Sequence, residues 1–140
     1  MAELNIIEKV IALEAVDLLK NLSAEQLSRI ASIAKEARYT PGKVILGPDT
    51  TLDALHVILE GAVSISRDGI ELHVAHENEV LGSWALFDPE PMSVTAKTIE
   101  HTRVLTIGRD DFYDLLSDNT EITASIFAML VKRFRQLVER

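Results

Sequence analysis

Hydrophobic positions along the chain change period twice. In Leu4–Lys20, apolar residues stand at Ile7, Val10, Ile11 and Leu18, which is helical spacing. Asn21-Leu22-Ser23 interrupts the run. Ser23-Ala24-Glu25-Gln26 then reads as a capping box opening a second helix, with Leu27, Ile30, Ile33, Ala34 and Ala37 along one face. Pro41-Gly42 closes this region. From Val44 the period falls to two. "KVILG", "ALHVILEG" and "AVSIS" are short β-branched runs broken by turn residues. Asp68-Gly69 is a hairpin signal, because both residues tolerate positive φ. "VTAKTI" and "TRVLTIG" add strands around a Glu100-His101 turn. About seven or eight short strands at such intervals predict a sandwich or barrel. Helical spacing then returns, in a short helix over Asp110–Leu116 and a long one over Glu121–Glu139. Helices, a β-rich middle and helices again predict an α+β fold.

The final helix carries two apolar lines. Thr123, Phe127, Leu130, Phe134 and Leu137 form a narrow seam, and Ile122, Ile126 and Met129 form a second face beside it. Either one face packs on the domain and the other on a partner chain, or both belong to one broad core stripe. The first alternative makes the seam a dimer contact.

Composition narrows the chemistry. The 140 residues are 47% hydrophobic and 26% charged, which fits one globular domain. Cysteine is absent, so disulfides, thiolate metal sites and thiol nucleophiles are excluded. The start, "MAELNIIEKV", lacks the features of a signal peptide, and no apolar run reaches the roughly 18 residues of a membrane span. A cytoplasmic location without membrane contact is expected. The net charge of −8 opposes nucleic-acid binding by this chain alone. The basic cluster Lys132, Arg133, Arg135 and Arg140 reads as a complement to the final helix dipole.

"YTPGKVI", "DALHVILEGAVSIS", "GSWALFDPEPMSVTA" and "RVLTIGRDDFYDLL" together resemble the cyclic nucleotide-binding domain, the sensor module of the catabolite activator protein, of cyclic-nucleotide-dependent kinases and of related channels. The likeness runs from about Ile11 to Leu137. It implies a single domain: a helical lead-in over 1–40, an eight-stranded antiparallel β-roll of jelly-roll type over 41–108, and C-terminal helices over 109–140. It also implies a phosphate-binding cassette at 82–95. The family's cassette reads Gly-Glu-x-Ala-Leu, a gap, then Pro-Arg-Ser/Thr-Ala-Thr. Gly82, Ala85, Leu86, Pro91, Ser93 and Thr95 match it. The glutamate position holds Ser83, the arginine position Met92 and the following alanine position Val94. Upstream, Pro48-Asp49-Thr50-Thr51-Leu52-Asp53 lacks the two turn glycines common in the family.

In the family, arginine pairs with the cyclic phosphate through a fork of donors. Glutamate accepts from the ribose 2′-hydroxyl. Losing one partner of a buried ion pair costs about 3–5 kcal/mol, or roughly two to three and a half decades in affinity. Ser83, Ser93 and Thr95 still offer hydroxyls, yet they restore no positive charge. The expectation is no cofactor, and no tight binding of cyclic nucleotides by the family's usual chemistry. Trp84 either stacks on a ligand base, plugs the pocket or serves the core. Met92 either lines an altered apolar pocket or marks an abandoned one.

Other chemistry finds little support. Gly82-Ser83-Trp84-Ala85 lacks the second glycine of a nucleophile elbow. His73 and His76 fall on opposite faces of a strand, and no His-x-His pair occurs, so neither a shared metal nor a cupin-type metalloenzyme is expected. His56 reads as a strand side chain. No catalytic residue is assigned. Two non-enzymatic readings remain: a regulatory sensor with weak or altered ligand binding, and a ligand-free structural module acting through its last helix. With no recognition helix after Arg140, the chain is not expected to be a complete transcription factor. A homodimer or a fused partner domain is expected.

Overall fold

The computed structural model describes residues 3–48, 50, 53–88 and 93–139, excluding the side chain of Trp84. Two capping boxes start the helical layer. Asn5 Oδ1 accepts from Glu8 N (2.8 Å) while Asn5 N donates to Glu8 Oε1 (3.1 Å), opening α1, Ile6–Leu13. Ser23 and Gln26 do the same for α2, Ala24–Ile33, at 3.2 and 3.0 Å. A short 3-10 helix, Asp17–Leu19, lies between them.

Two helical expectations need correction. The first helix stops at Leu13, and Ile7 and Ile11 are 71% and 61% exposed. Ala12, Leu13, Val16 and Leu19 are buried instead, because the chain turns through Glu14 and presents the neighbouring stripe. The second helix does not reach Ala37. Ala34 is extended (φ −81°, ψ 137°), and the chain becomes strand β1, Lys35–Tyr39. Here pairing with a neighbouring strand overrides a helical spacing: Ala37 and Tyr39 alternate onto the core between the sheets.

The remaining strands are β2 Val44–Leu46, β3 Ala54–Glu60, β4 Val63–Arg67, β5 Ile70–Ala75, β6 Val80–Leu81, β7 Thr95–Thr98 and β8 Thr102–Gly108. They form two antiparallel sheets, ordered β1-β8-β3-β6 and β2-β7-β4-β5. The hairpin between β4 and β5 turns on Asp68 (φ 52°) and Gly69 (φ 79°), as the sequence predicts. Gly61 (φ 109°) permits a close crossing, since a Cβ there would lie 2.6 Å from the His101 carbonyl oxygen. Helix α3, Arg109–Asp118, follows β8 directly, and α4, Thr120–Val138, ends the fold.

Strands β3 and β8 are buried on both faces. Leu55, Val57, Leu105 and Ile107 join a core with the helices. Ile58 and Val104 join Ile45, Leu46, Val63, Ala75, Leu81, Ala85 and Ala96 in a second core between the sheets. Burial on both faces explains why "ALHVILE" reads as a nearly unbroken apolar run.

Candidate ligand-binding cassette

After β6 the chain turns through Gly82 (φ +71°) into a four-residue 3-10 helix, Ser83–Leu86. In this geometry residues three apart stand above one another, so Ser83 and Leu86 share a side. Leu86 packs in the helical core, while Ala85, its neighbour, packs in the core between the sheets. The guanidinium of Arg109, the first residue of α3, donates from Nε to the Ala85 carbonyl (2.7 Å) and from Nη2 to the Asp88 carbonyl (3.4 Å). These charge-assisted bonds fasten the end of the short helix to the junction of β8 and α3.

Two cavities flank the cassette. The one inside the roll has a volume of about 190 Å3. Its walls include Leu46, Ile65, Ala75, Gly82, Val94 and Ala96, and its polar lining consists of His73 and Glu79. His73 Nε2 lies 2.7 Å from Glu79 Oε2. That hydrogen bond holds the Glu79 carboxyl below the usual carboxylate range. The other cavity, about 240 Å3, lies on the helical side. Ser83, Leu86 and Phe87 face Leu55, Phe112 and Leu130 across it. At its rim Arg133 grips Asp17 with Nε and Nη2 at 2.6 and 2.5 Å, and holds the Asp17 carboxyl low.

The predicted site residues are therefore divided. Gly82 lines the roll cavity, and Ser83 and Leu86 line the helical one. Ala85 is buried between the sheets. Thr95 is half-buried on β7, and exposed Ser93 accepts a hydrogen bond from Arg67 Nη2 (3.3 Å). Pro91, Met92 and the Trp84 side chain lie outside the described residues, as do Asp49, Thr51 and Leu52 upstream. Sequence reasoning missed Arg109 and Arg67. The available signals were a basic residue at the start of a helix, and a basic residue continuing the inward period of β4.

The seam on α4 is also divided. Leu130 and Thr123 are half-buried, and Leu130 packs on the helical core. Phe127, Phe134 and Leu137 are 62%, 65% and 65% exposed. Ile122, Ile126 and Met129 are buried. Helix α4 thus has one face against its own domain and a separate bare apolar face.

The family model for the cyclic nucleotide-binding domain matches residues 36–119. The chain belongs to the cyclic nucleotide-binding domain family. This domain is 28% identical over 117 residues to a CRP-like cAMP-activated global transcriptional regulator of Mycobacterium tuberculosis, covering 78% of the chain and 52% of the regulator. It is 24% identical over 108 residues to the cGMP-dependent 3′,5′-cGMP phosphodiesterase A of Dictyostelium discoideum, covering 77% of the chain and 12% of that protein. The domain thus spans about half the length of the first relative and a small part of the second. Among solved structures, the N-terminal domain of a transcriptional regulator from Streptomyces coelicolor A3(2) superposes with a TM-score of 0.82 at 26% identity, over 90% of this chain and 94% of that one. The regulatory domain of Toxoplasma gondii PKA, solved with cAMP, shares the fold with a TM-score of 0.72 at 18% identity, over 94% and 50%. The relatives are mainly regulatory, and some carry the domain beside a kinase or phosphodiesterase. No described helix of this domain is long and apolar enough to cross a membrane.

Proposed function

We propose that this chain is a non-enzymatic regulatory module, cytoplasmic and dimeric or fused to a partner domain, that senses a ligand bound weakly or by altered chemistry. The observation that carries the reading is the position of the 3-10 helix Ser83–Leu86. Ala85 lies in the core between the sheets, and Leu86 and Phe87 lie against the helical layer. A ligand entering the roll displaces the segment at Gly82. That shift travels through Ala85 and Leu86 to Phe112 and Leu130, and so to α3 and α4. Arg109 makes the transfer stiffer, because it ties the Ala85 and Asp88 carbonyls to the first residue of α3.

Weak binding follows from what the site offers. Among the described lining residues of the roll cavity, no arginine or lysine is present, and Ser83 lines the opposite cavity. Calorimetric titration with cAMP and cGMP is expected to give constants weaker than micromolar for both. A micromolar or tighter constant for either overturns the reading. Met92→Arg, which restores the cassette's positive charge, is expected to tighten cAMP binding. If it does not, the roll is closed to nucleotides and the domain acts as a structural module.

A further inference from the structure

We infer that Arg67, together with Ser93, forms an anion-binding rim on the roll cavity, and that the ligand is an organic phosphate whose ester group sits there. This rests on the reading of the roll as a sensing pocket, and adds to it the group that recognises the charge.

The position of Arg67 follows from strand geometry. Along β4 alternate residues face inward: Val63 belongs to the core between the sheets, Ile65 lines the cavity, and Arg67 is next in that series. The pairing with β7 says the same. Ile65 is opposite Ala96 and Ser66 opposite Thr95, so one further step puts Arg67 opposite Val94. Ala96 and Val94 both line the cavity. The strand discontinuity in this hairpin falls on β5, where Leu72 is the extra residue, and leaves the β4 alternation intact.

Among the described residues nothing compensates the guanidinium's charge: no carboxylate lies within ion-pair distance of Arg67, and its side-chain hydrogen bond goes to a neutral hydroxyl, Ser93 Oγ. In a chain of net charge −8, with Asp and Glu outnumbering Lys and Arg 22 to 14, such an arginine is conspicuous. Glu79, the only carboxylate in the described cavity lining, is engaged by His73.

Cavity size places the anion at the rim. About 190 Å3 is below the roughly 300–1,000 Å3 of clefts that enclose drug-sized ligands. The apolar lining accepts a ring, and leaving the charged ester outside it avoids burying an unpaired anion. At the rim, the donor fork of Arg67 and the Ser93 hydroxyl supply the two kinds of donor a phosphate ester takes.

The test is titration of the whole chain with cAMP and with adenosine, following Trp84 fluorescence and two-dimensional NMR shifts up to millimolar ligand. The wild type is expected to prefer cAMP over adenosine, with a preference that weakens as salt is raised. Arg67→Gln is expected to lose about tenfold to a hundredfold in cAMP affinity and none for adenosine. Arg67→Lys keeps part of the preference, and Ser93→Ala loses less than Arg67→Gln. Thermal melts matching the wild type exclude a folding defect, as expected for an exposed residue at a strand end. If Arg67→Gln binds cAMP like the wild type, the inference fails while the sensing module stands. If the wild type responds to neither ligand, both fail.

Discussion

The 3-10 helix Ser83–Leu86 separates two apolar cores that close in different ways. The core between the sheets is sealed by paired strands, and its polar features are kept to the edge: the His73–Glu79 pair in the cavity and the Arg67–Ser93 contact beside it. The core under the helices is sealed by side chains alone, and α4 leaves Phe127, Phe134 and Leu137 bare beyond it. Strand pairing fixes where the inward residues stand, because a slip of one residue would turn every side chain over. Helix packing has no such register. Register thus holds the cavity of the roll in place, while the helical layer leaves an apolar face uncovered.

The largest effect is expected from Phe112→Ala. Phe112 is fully buried at the start of α3, lines the helical cavity and meets Phe87 edge-on at 6.0 Å between ring centroids and 85° between planes. The change should cost about 3–5 kcal/mol. Denaturant unfolding followed by far-ultraviolet circular dichroism and by Trp84 fluorescence checks this. Coincident transitions in the wild type and the variant show the two cores folding as one unit. Transitions that separate in the variant would show the helical layer melting first, and would break the coupling that the shared 3-10 helix implies.

A second effect belongs to the roll. His56 is buried between β3 and β8, with Nδ1 3.0 Å from Thr106 Oγ1. Burial lowers its pKa from 6.5 to about 4, against a smaller upward pull from Asp53. Between those values the unfolded chain binds a proton that the folded chain refuses. Stability is therefore complete above pH 6.5 and falls as pH falls toward 4, by about 3 kcal/mol in all. The carboxylates held low, Asp17 and Glu79, act at the acid end, while His56 contributes a slope between pH 6.5 and 5. Urea midpoints over that range check it: His56→Asn should flatten the slope, and an unchanged slope would place the titration elsewhere.

The same contrast explains what could be read from the sequence. The roll was legible because period-two runs, the Asp68-Gly69 turn and the spacing of Gly82, Ala85 and Leu86 are local signals that the sheet obeys. The helical layer was less so. Ile7 and Ile11 had the right spacing and lie in solvent, since Ala12, Leu13 and Val16 offered a competing stripe one residue away. Ala34 and Ala37 fitted a helix until pairing with β8 claimed the segment as β1. At the cassette, the sequence named the residues and could not divide them. Ser83 and Ala85 are two positions apart on a 3-10 turn, and Ser83 lines the helical cavity while Ala85 packs into the core between the sheets. Arg67 and Arg109 approach the cassette from 26 and 24 residues away, and no local pattern carries a contact of that separation.

The smallest effect on stability, and the most direct test of the bare face, comes from Phe127→Ser with Phe134→Ser. Both rings are more than half exposed on α4, so the pair should change the stability of a single chain by only about 0.5 kcal/mol at each position. If the face instead packs against a second copy, removing two aromatic side chains takes away the largest apolar contributions to that contact. Light scattering is expected to give a dimer mass for the wild type and a monomer mass for the double variant, with thermal melts that become independent of protein concentration. A monomeric wild type would end the case for self-association. It would leave this face to a fused or separate partner, while the roll, sealed by its own strands, would be unaffected.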